Sequence, residues 1–103
     1  MEEKDVHDLI HPGEGQTIEF KLDSERDFTD VIAKAIGAFA NTNDGIILIG
    51  VSDDGSIVGV RDDPKRVEER VMGICRSRCN PVPALRIEHT EVDGLSLLLV
   101  HVA

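Results

Sequence analysis

The sequence predicts one α/β (α+β) domain across residues 1–103, a mixed β-sheet packed by two helices in the order β-α-β-β-α-β-β. Three observations carry this expectation. Apolar and polar residues alternate strictly from Ile18 to Leu22, the signature of a strand with one face on a core. Phe28, Ile32, Ala35, Ile36 and Phe39 recur at helical spacing. Asp93-Gly94 separates two β-rich runs by the two residues of a tight hairpin. A chain of 103 residues with 41% hydrophobic and 30% charged residues suits one soluble globular unit. Three Phe without Trp or Tyr make its core aliphatic.

Taken in order, Asp5 to Ile10 reads as a short helical arm, ended by Pro12-Gly13. In the first strand Ile18, Phe20 and Leu22 turn to the core, which places Glu19 and Lys21 together on the opposite face. The helix from Phe28 ends near Asn41, and Asp27 can accept hydrogen bonds from its first free amides. Ile46 to Val51 is continuously apolar and β-branched, as in a central strand covered on both faces. Asp54-Gly55 supplies a tight turn into a short strand at Ile57-Val58. Asp63-Pro64 opens the second helix, with Val67, Val71, Ile74 and Cys75 facing inward, and Asn80-Pro81-Val82-Pro83 closes it. Leu85 to Val92 and Leu95 to Val102 form the final hairpin.

Composition excludes several classes. No segment approaches the roughly 20 apolar residues of a membrane helix, and Met1-Glu2-Glu3 is not the start of a signal peptide, so a cytoplasmic location is expected. The last strand stops at Ala103 with nothing to cap it, the expectation being a domain cut from a longer protein whose remaining domains are its partners. Cys75 and Cys79 lack further ligands for a zinc site and read as ordinary thiols. His7, His11, His89 and His101 show no metal-ligand spacing. No Gly-x-x-x-x-Gly-Lys-Ser/Thr loop occurs, which rules out an independent P-loop ATPase. A net charge of −9 works against autonomous binding of a polyanion, though local basic patches can overcome it.

The run Glu14-Gly15-Gln16-Thr17-Ile18-Glu19-Phe20-Lys21, the helix end Ala38-Phe39-Ala40-Asn41-Thr42 before a glycine-led strand, and the turn Gly50-Val51-Ser52-Asp53-Asp54-Gly55 occur in order across nearly half the chain. Together they resemble the AlbA_2 domain, also called the Schlafen AlbA_2 or divergent AAA-4 domain. The resemblance implies an Alba-like arrangement and a nucleic-acid-binding module, with DNA the expected polymer, in a transcriptional regulator. The family often places two small residues, commonly Gly-Gly, after Asn-Thr; Asn43-Asp44-Gly45 departs from this by adding an acid.

Glu14, Glu19 and Asp53 are the sharpest chemical candidates. Glu19 lies on a strand, Glu14 in the loop before it, and Asp53 at the end of a buried strand that would lie alongside. Three converging carboxylates would suit Mg²⁺ or Mn²⁺, which prefer oxygen ligands and can activate water, with Lys21 countering a phosphate. Nuclease members of the Schlafen group resemble this pattern, which implies a metal-dependent ribonuclease as the alternative function. Outside that alternative no cofactor is expected. The structural alternative is a Glu19–Lys21 surface ion pair, a solvated Glu14 and an Asp53 bonded to its own turn. Candidate nucleic-acid contacts are Lys21, Asn41, Thr42, Lys65, Arg66 and Arg70, the last two sharing a helical face. Arg76 and Arg78 suit the negative end of the second helix. A third reading is a protein-interaction or homodimerisation domain using a strand edge or the acidic surface.

Overall fold

The computed structural model describes residues 2–15, 17–42 and 44–103. Gln16 and Asn43, both within the motif runs above, and Met1 lie outside the described residues. The elements are α1 (Glu3–Ile10), β1 (Ile18–Lys21), α2 (Phe28–Thr42), β2 (Gly45–Ile49), α3 (Pro64–Arg78), β3 (Leu85–Val92) and β4 (Leu95–Val102). They build the expected mixed sheet, of strand order β1-β2-β4-β3. β1 and β2 are parallel and joined through α2, whereas β4 runs antiparallel to both β2 and β3. The parallel pair requires a crossover, and the α2 segment with its apolar stripe supplies it.

The sheet divides the interior into two clusters. On one face Ile47, Ile49, Leu98, Val100 and Val102 pack against Phe28, Ile32, Ile36 and Phe39 of α2 and Val67, Val71, Ile74 and Cys75 of α3. On the other, Phe20, Leu48, Leu97 and Leu99 meet Val6 and Ile10 of α1. Continuous burial of Leu97 to Val100 follows directly, since both faces of β4 are covered.

Two details differ from the sequence reading. The expected arm at Asp5–Ile10 is a docked third helix starting at Glu3, with Val6 completely buried. Burial of a valine side chain contributes roughly 1.5–3 kcal/mol, which explains why so short a helix is held. The expected strand at Ile57-Val58 shrinks to one bridge between Val51 and Ile57. Its chain instead wraps the Gly50 carbonyl, which accepts from Val58 N–H at 2.9 Å and Gly59 N–H at 2.8 Å, before Val60 N–H reaches Ser96 O.

Two glycines have steric reasons. A Cβ at Gly45 would lie 2.1 Å from Cγ of Phe39, so the helix ring rests directly on the start of β2. Gly50 has φ +110° and a Cβ there would approach Leu97 Cδ2 at 2.6 Å. Asp93 and Gly94 both adopt positive φ, 52° and 79°, as a two-residue hairpin of the primed type demands. Asp63 and Pro64 open α3 as expected, without a side-chain capping bond from Asp63.

Candidate functional site

β1 forms one edge of the sheet, and its alternation sends Phe20 into the α1 cluster and Glu19 and Lys21 to the opposite face, where the paired β2 residues are Ile47 and Ile49. The outward N–H of Phe20 is taken by Glu14, whose Oε2 lies 2.8 Å away. Glu25 Oε1 accepts from Leu22 N–H at 3.3 Å along the same edge. Acidic side chains therefore occupy edge amides that would otherwise be open to another strand.

Glu19 is the electrostatic centre of this region. Burial pushes its carboxyl above the ordinary value, and the Glu14 carboxylate adds to this by hydrogen bonding and by charge. Lys21 opposes the shift and Asp53 reinforces it, so the other two candidate acids both act on Glu19. Like-charged carboxylates at short range retain a proton that an isolated acid would lose. Among the described residues, however, no group of three or more His, Cys, Asp or Glu side chains is disposed to hold a metal ion. The acids share a field without forming a finished coordination cage.

The turn acid is Asp54 rather than Asp53. Asp54 Oδ1 accepts from Ser52 Oγ and from Ser56 N–H at 2.9 Å, and these bonds hold its carboxyl down at about 2. Asp53 is exposed beside it and makes no such bond, which leaves it available to the Glu19 side. Nor do Glu19 and Lys21 form a close ion pair; Lys21 acts on Glu19 only through its charge.

The candidate nucleic-acid contacts divide between the two ends of α2. Thr42 Oγ1 bonds back to Ala38 O at 3.2 Å and Phe39 O at 3.3 Å, closing the last helical turn, and Asn41 is exposed next to it. At about 1.5 Å per residue, the 15-residue helix separates this end from its Phe28 end by roughly 20 Å. Arg70 lies at the Phe28 end, Lys65 and Arg66 precede it by about one turn on α3, and Lys21 closes the strand that leads into α2. Arg70 is committed at the Phe28 end, its guanidinium carbon lying 4.5 Å from the Phe28 ring centroid. Arg78 pairs with Asp30 at 2.7 Å. Lys65 and Arg66 are exposed at the start of α3 and form no ion pair among the described residues.

One organising residue escaped the sequence reading. Asp23, just past β1, is only 6% exposed and is the one buried charged residue among those described. Its carboxylate accepts from Arg61 N–H at 3.0 and 3.1 Å and from Asp62 N–H at 3.0 Å. This bond set ties the end of β1 to the segment leading into α3, where Arg61 is exposed four residues before Lys65. A lone Asp after a strand carries no periodic signal, and its partners lie 38 and 39 residues away. The histidines within strands have acidic partners: His89 bonds Glu68 of α3, and His101 Nε2 lies 2.9 Å from Glu88 Oε1. Cys75 is buried, and burial together with the nearby Cys79 raises its thiol.

With this geometry in hand, comparison with known proteins is specific. Among curated proteins none matches the chain. Among solved structures, the chain is similar to the N-terminal domain of a RecG-related protein from Nitrosomonas europaea, named for its relation to an ATP-dependent DNA helicase and determined by solution NMR. The two share 27% identity at a TM-score of 0.69, over 95% of this chain and 70% of that one. The family model described as Schlafen, AlbA_2 matches residues 14–103, from the acid that caps β1 through the last strand. The chain belongs to the Schlafen AlbA_2 family.

Proposed function

We propose that this domain is a nucleic-acid-binding module, with DNA as its polymer, in a transcriptional regulator. The observation that carries the reading is the pair Lys65 and Arg66 at the start of α3, exposed and without an ion-pair partner among the described residues, four and five residues after the exposed Arg61 whose N–H is held by Asp23. Six of the eleven Lys and Arg residues fall between Arg61 and Arg78, five of them on α3, against four Asp and Glu residues, so this stretch of an acidic protein carries net positive charge. Cations gathered in this way release counterions from phosphates and supply affinity that the net charge opposes. Lys21 extends the surface toward β1, while Asn41 and Thr42 would serve only a ligand that reaches the other end of α2. The relation of the similar solved domain to a DNA helicase supports a nucleic-acid role. A cytoplasmic setting and further domains of a parent regulator belong to this reading.

A second reading is favoured by the action of Glu14 and Asp53 on the Glu19 carboxyl: a metal-dependent ribonuclease. These acids supply the oxygen ligands and negative charge that Mg²⁺ or Mn²⁺ would require, and such an ion would furnish charge neutralisation at a phosphate. What the chain itself provides is the anchoring of Glu14 on the β1 edge and the orientation of Glu19 from the strand.

The deciding experiment titrates labelled duplex DNA and structured RNA with the purified domain at low and moderate salt, with and without Mn²⁺, following anisotropy and cleavage together. Salt-sensitive DNA binding without cleavage is the expected result. Metal-dependent RNA cleavage abolished by Glu19→Ala would replace the first reading with the second, and neither binding nor cleavage would overturn both.

A further inference from the structure

The two edges of the sheet are treated differently. At β1, Glu14 and Glu25 occupy the outward amides. At β3 no side chain among the described residues does so. The bond from Ala103 N–H to Ala84 O continues the β4–β3 register. Even-numbered β3 residues therefore exchange bonds with β4, and Leu85, Ile87, His89 and Glu91 turn their N–H and C=O groups outward. An eight-residue strand with an open ladder is a template for strand addition, and the occupant can be read from its charges.

We propose that β3 pairs antiparallel with β3 of a second copy about a twofold axis at Ile87, joining two sheets into one. The outward groups limit a symmetric antiparallel pairing to a few registers. Centring on Arg86 would place Arg86 opposite Arg86 of the partner subunit, and centring on Glu88 would oppose Glu88 and Glu88 of the partner subunit. Like charges directly opposite one another destabilise such pairs. Centring on His89 would leave Arg86 facing Val92 of the partner subunit. Centring on Ile87 sets Arg86 opposite Glu88 of the partner subunit, and Glu88 opposite Arg86 of the partner subunit, at the close, non-hydrogen-bonded positions where side chains interact most strongly. Leu85 then faces His89 of the partner subunit, and Ile87 meets its own copy.

Within one chain Arg86 Nη1 already lies 3.6 Å from Glu88 Oε1, with the Arg86 side chain 70% exposed. The second copy would complete an alternating four-charge cluster next to His101. Pro83, the next outward position, has no N–H to donate and ends the ladder on that side. The partner is thus a second copy of this chain, recognised by backbone pairing and selected in register by charge. The inference is independent of the nucleic-acid reading, since none of its residues belongs to the proposed binding surface.

Sedimentation equilibrium of the purified chain tests it. A concentration-dependent dimer is expected, and Arg86→Glu alone or Glu88→Arg alone should weaken it by at least about tenfold through like-charge opposition. Mixing the two single variants should restore a dimer, because each then meets the opposite charge. Ile87→Pro, which removes an outward N–H while sparing the bonds to β4, should yield a folded monomer by circular dichroism. A wild-type monomer at all concentrations, single variants that dimerise as well as wild type, or a mixture no better than its components would each overturn the proposal.

Discussion

The carboxylate of Glu14 accepts a hydrogen bond at 2.8 Å from the backbone N–H of Phe20, six residues further along. The same side chain raises the proton affinity of Glu19, the residue between Phe20 and the entry to β1. One acid thus performs two tasks, satisfying an edge amide and setting the charge state of its neighbour. In Glu14→Gln the Glu19 carboxyl should titrate closer to its ordinary 4.5 while staying above it, because burial and Asp53 persist. Side-chain ¹³C NMR titration reads this directly. Glu14→Ala should in addition cost about 1 kcal/mol, from the loss of a partner for Phe20 N–H.

The raised Glu19 carboxyl also fixes a direction for stability. A folded-state value above the unfolded one means the folded chain binds the proton more tightly. Its contribution is complete below about 4.5 and disappears as pH rises through the higher folded-state value. Chemical denaturation across this interval should show Glu19→Gln removing that fall, and an unchanged pH profile in the variant would refute the assignment.

Asp54 has the opposite sign. Ser52 and Ser56 hold its carboxyl at about 2, below the ordinary 3.8, so its contribution is present above 3.8 and is lost as pH falls through about 2. Asp54→Asn should abolish this acid-side dependence, whereas Asp53→Asn should leave it intact and lower the Glu19 titration point. NMR titration of the two variants separates the adjacent acids.

Replacement of Asp23 should be the most damaging single change at an acid. Asp23→Ala strands the Arg61 and Asp62 amides around a buried site and should cost about 3 kcal/mol by urea unfolding. Asp23→Asn retains acceptor capacity and should cost less. Hydrogen exchange at Arg61 and Asp62 should accelerate in both variants, most in the alanine one.

On the cationic surface, Lys65→Glu and Arg66→Glu should weaken DNA binding, and neutralising either residue should reduce the slope of log affinity against log salt by about one. Arg70→Ala should act differently, because its guanidinium sits over Phe28. Removing it should lower stability by roughly 0.5–1 kcal/mol and change the salt slope little. Equal effects of Arg66 and Arg70 on that slope would place the phosphate path further along α3.

Local chemistry made much of the fold legible. Alternation at Ile18–Lys21, the Asp63-Pro64 start and the Asp93-Gly94 turn each correspond to observed geometry, because each is decided by neighbouring residues, whereas Leu22, expected to face the core, lies past the end of β1 and outside both clusters. Ile57-Val58 did not become a strand since the N–H groups of Val58 and of Gly59 after it are both claimed by Gly50 O, a tertiary choice no propensity encodes. The docking of α1 was equally hidden, its stripe being too short to distinguish an arm from a core helix until Phe20 and Leu99 provided a surface. At the site, strand adjacency explains why Glu14 and Asp53 both act on Glu19, whereas the division of labour between Asp53 and Asp54 depends on which carboxylate the two serines reach.

The position of α1 separates two boundaries that are commonly taken as one. Similarity to the family begins at Glu14, but folding begins earlier, since Val6 and Ile10 seal the face formed by Phe20, Leu48, Leu97 and Leu99. A version trimmed to the shared segment would keep every candidate site residue and yet present a bare aliphatic surface to water, inviting self-association unrelated to the β3 edge. For this chain the unit of recognition is smaller than the unit of solubility.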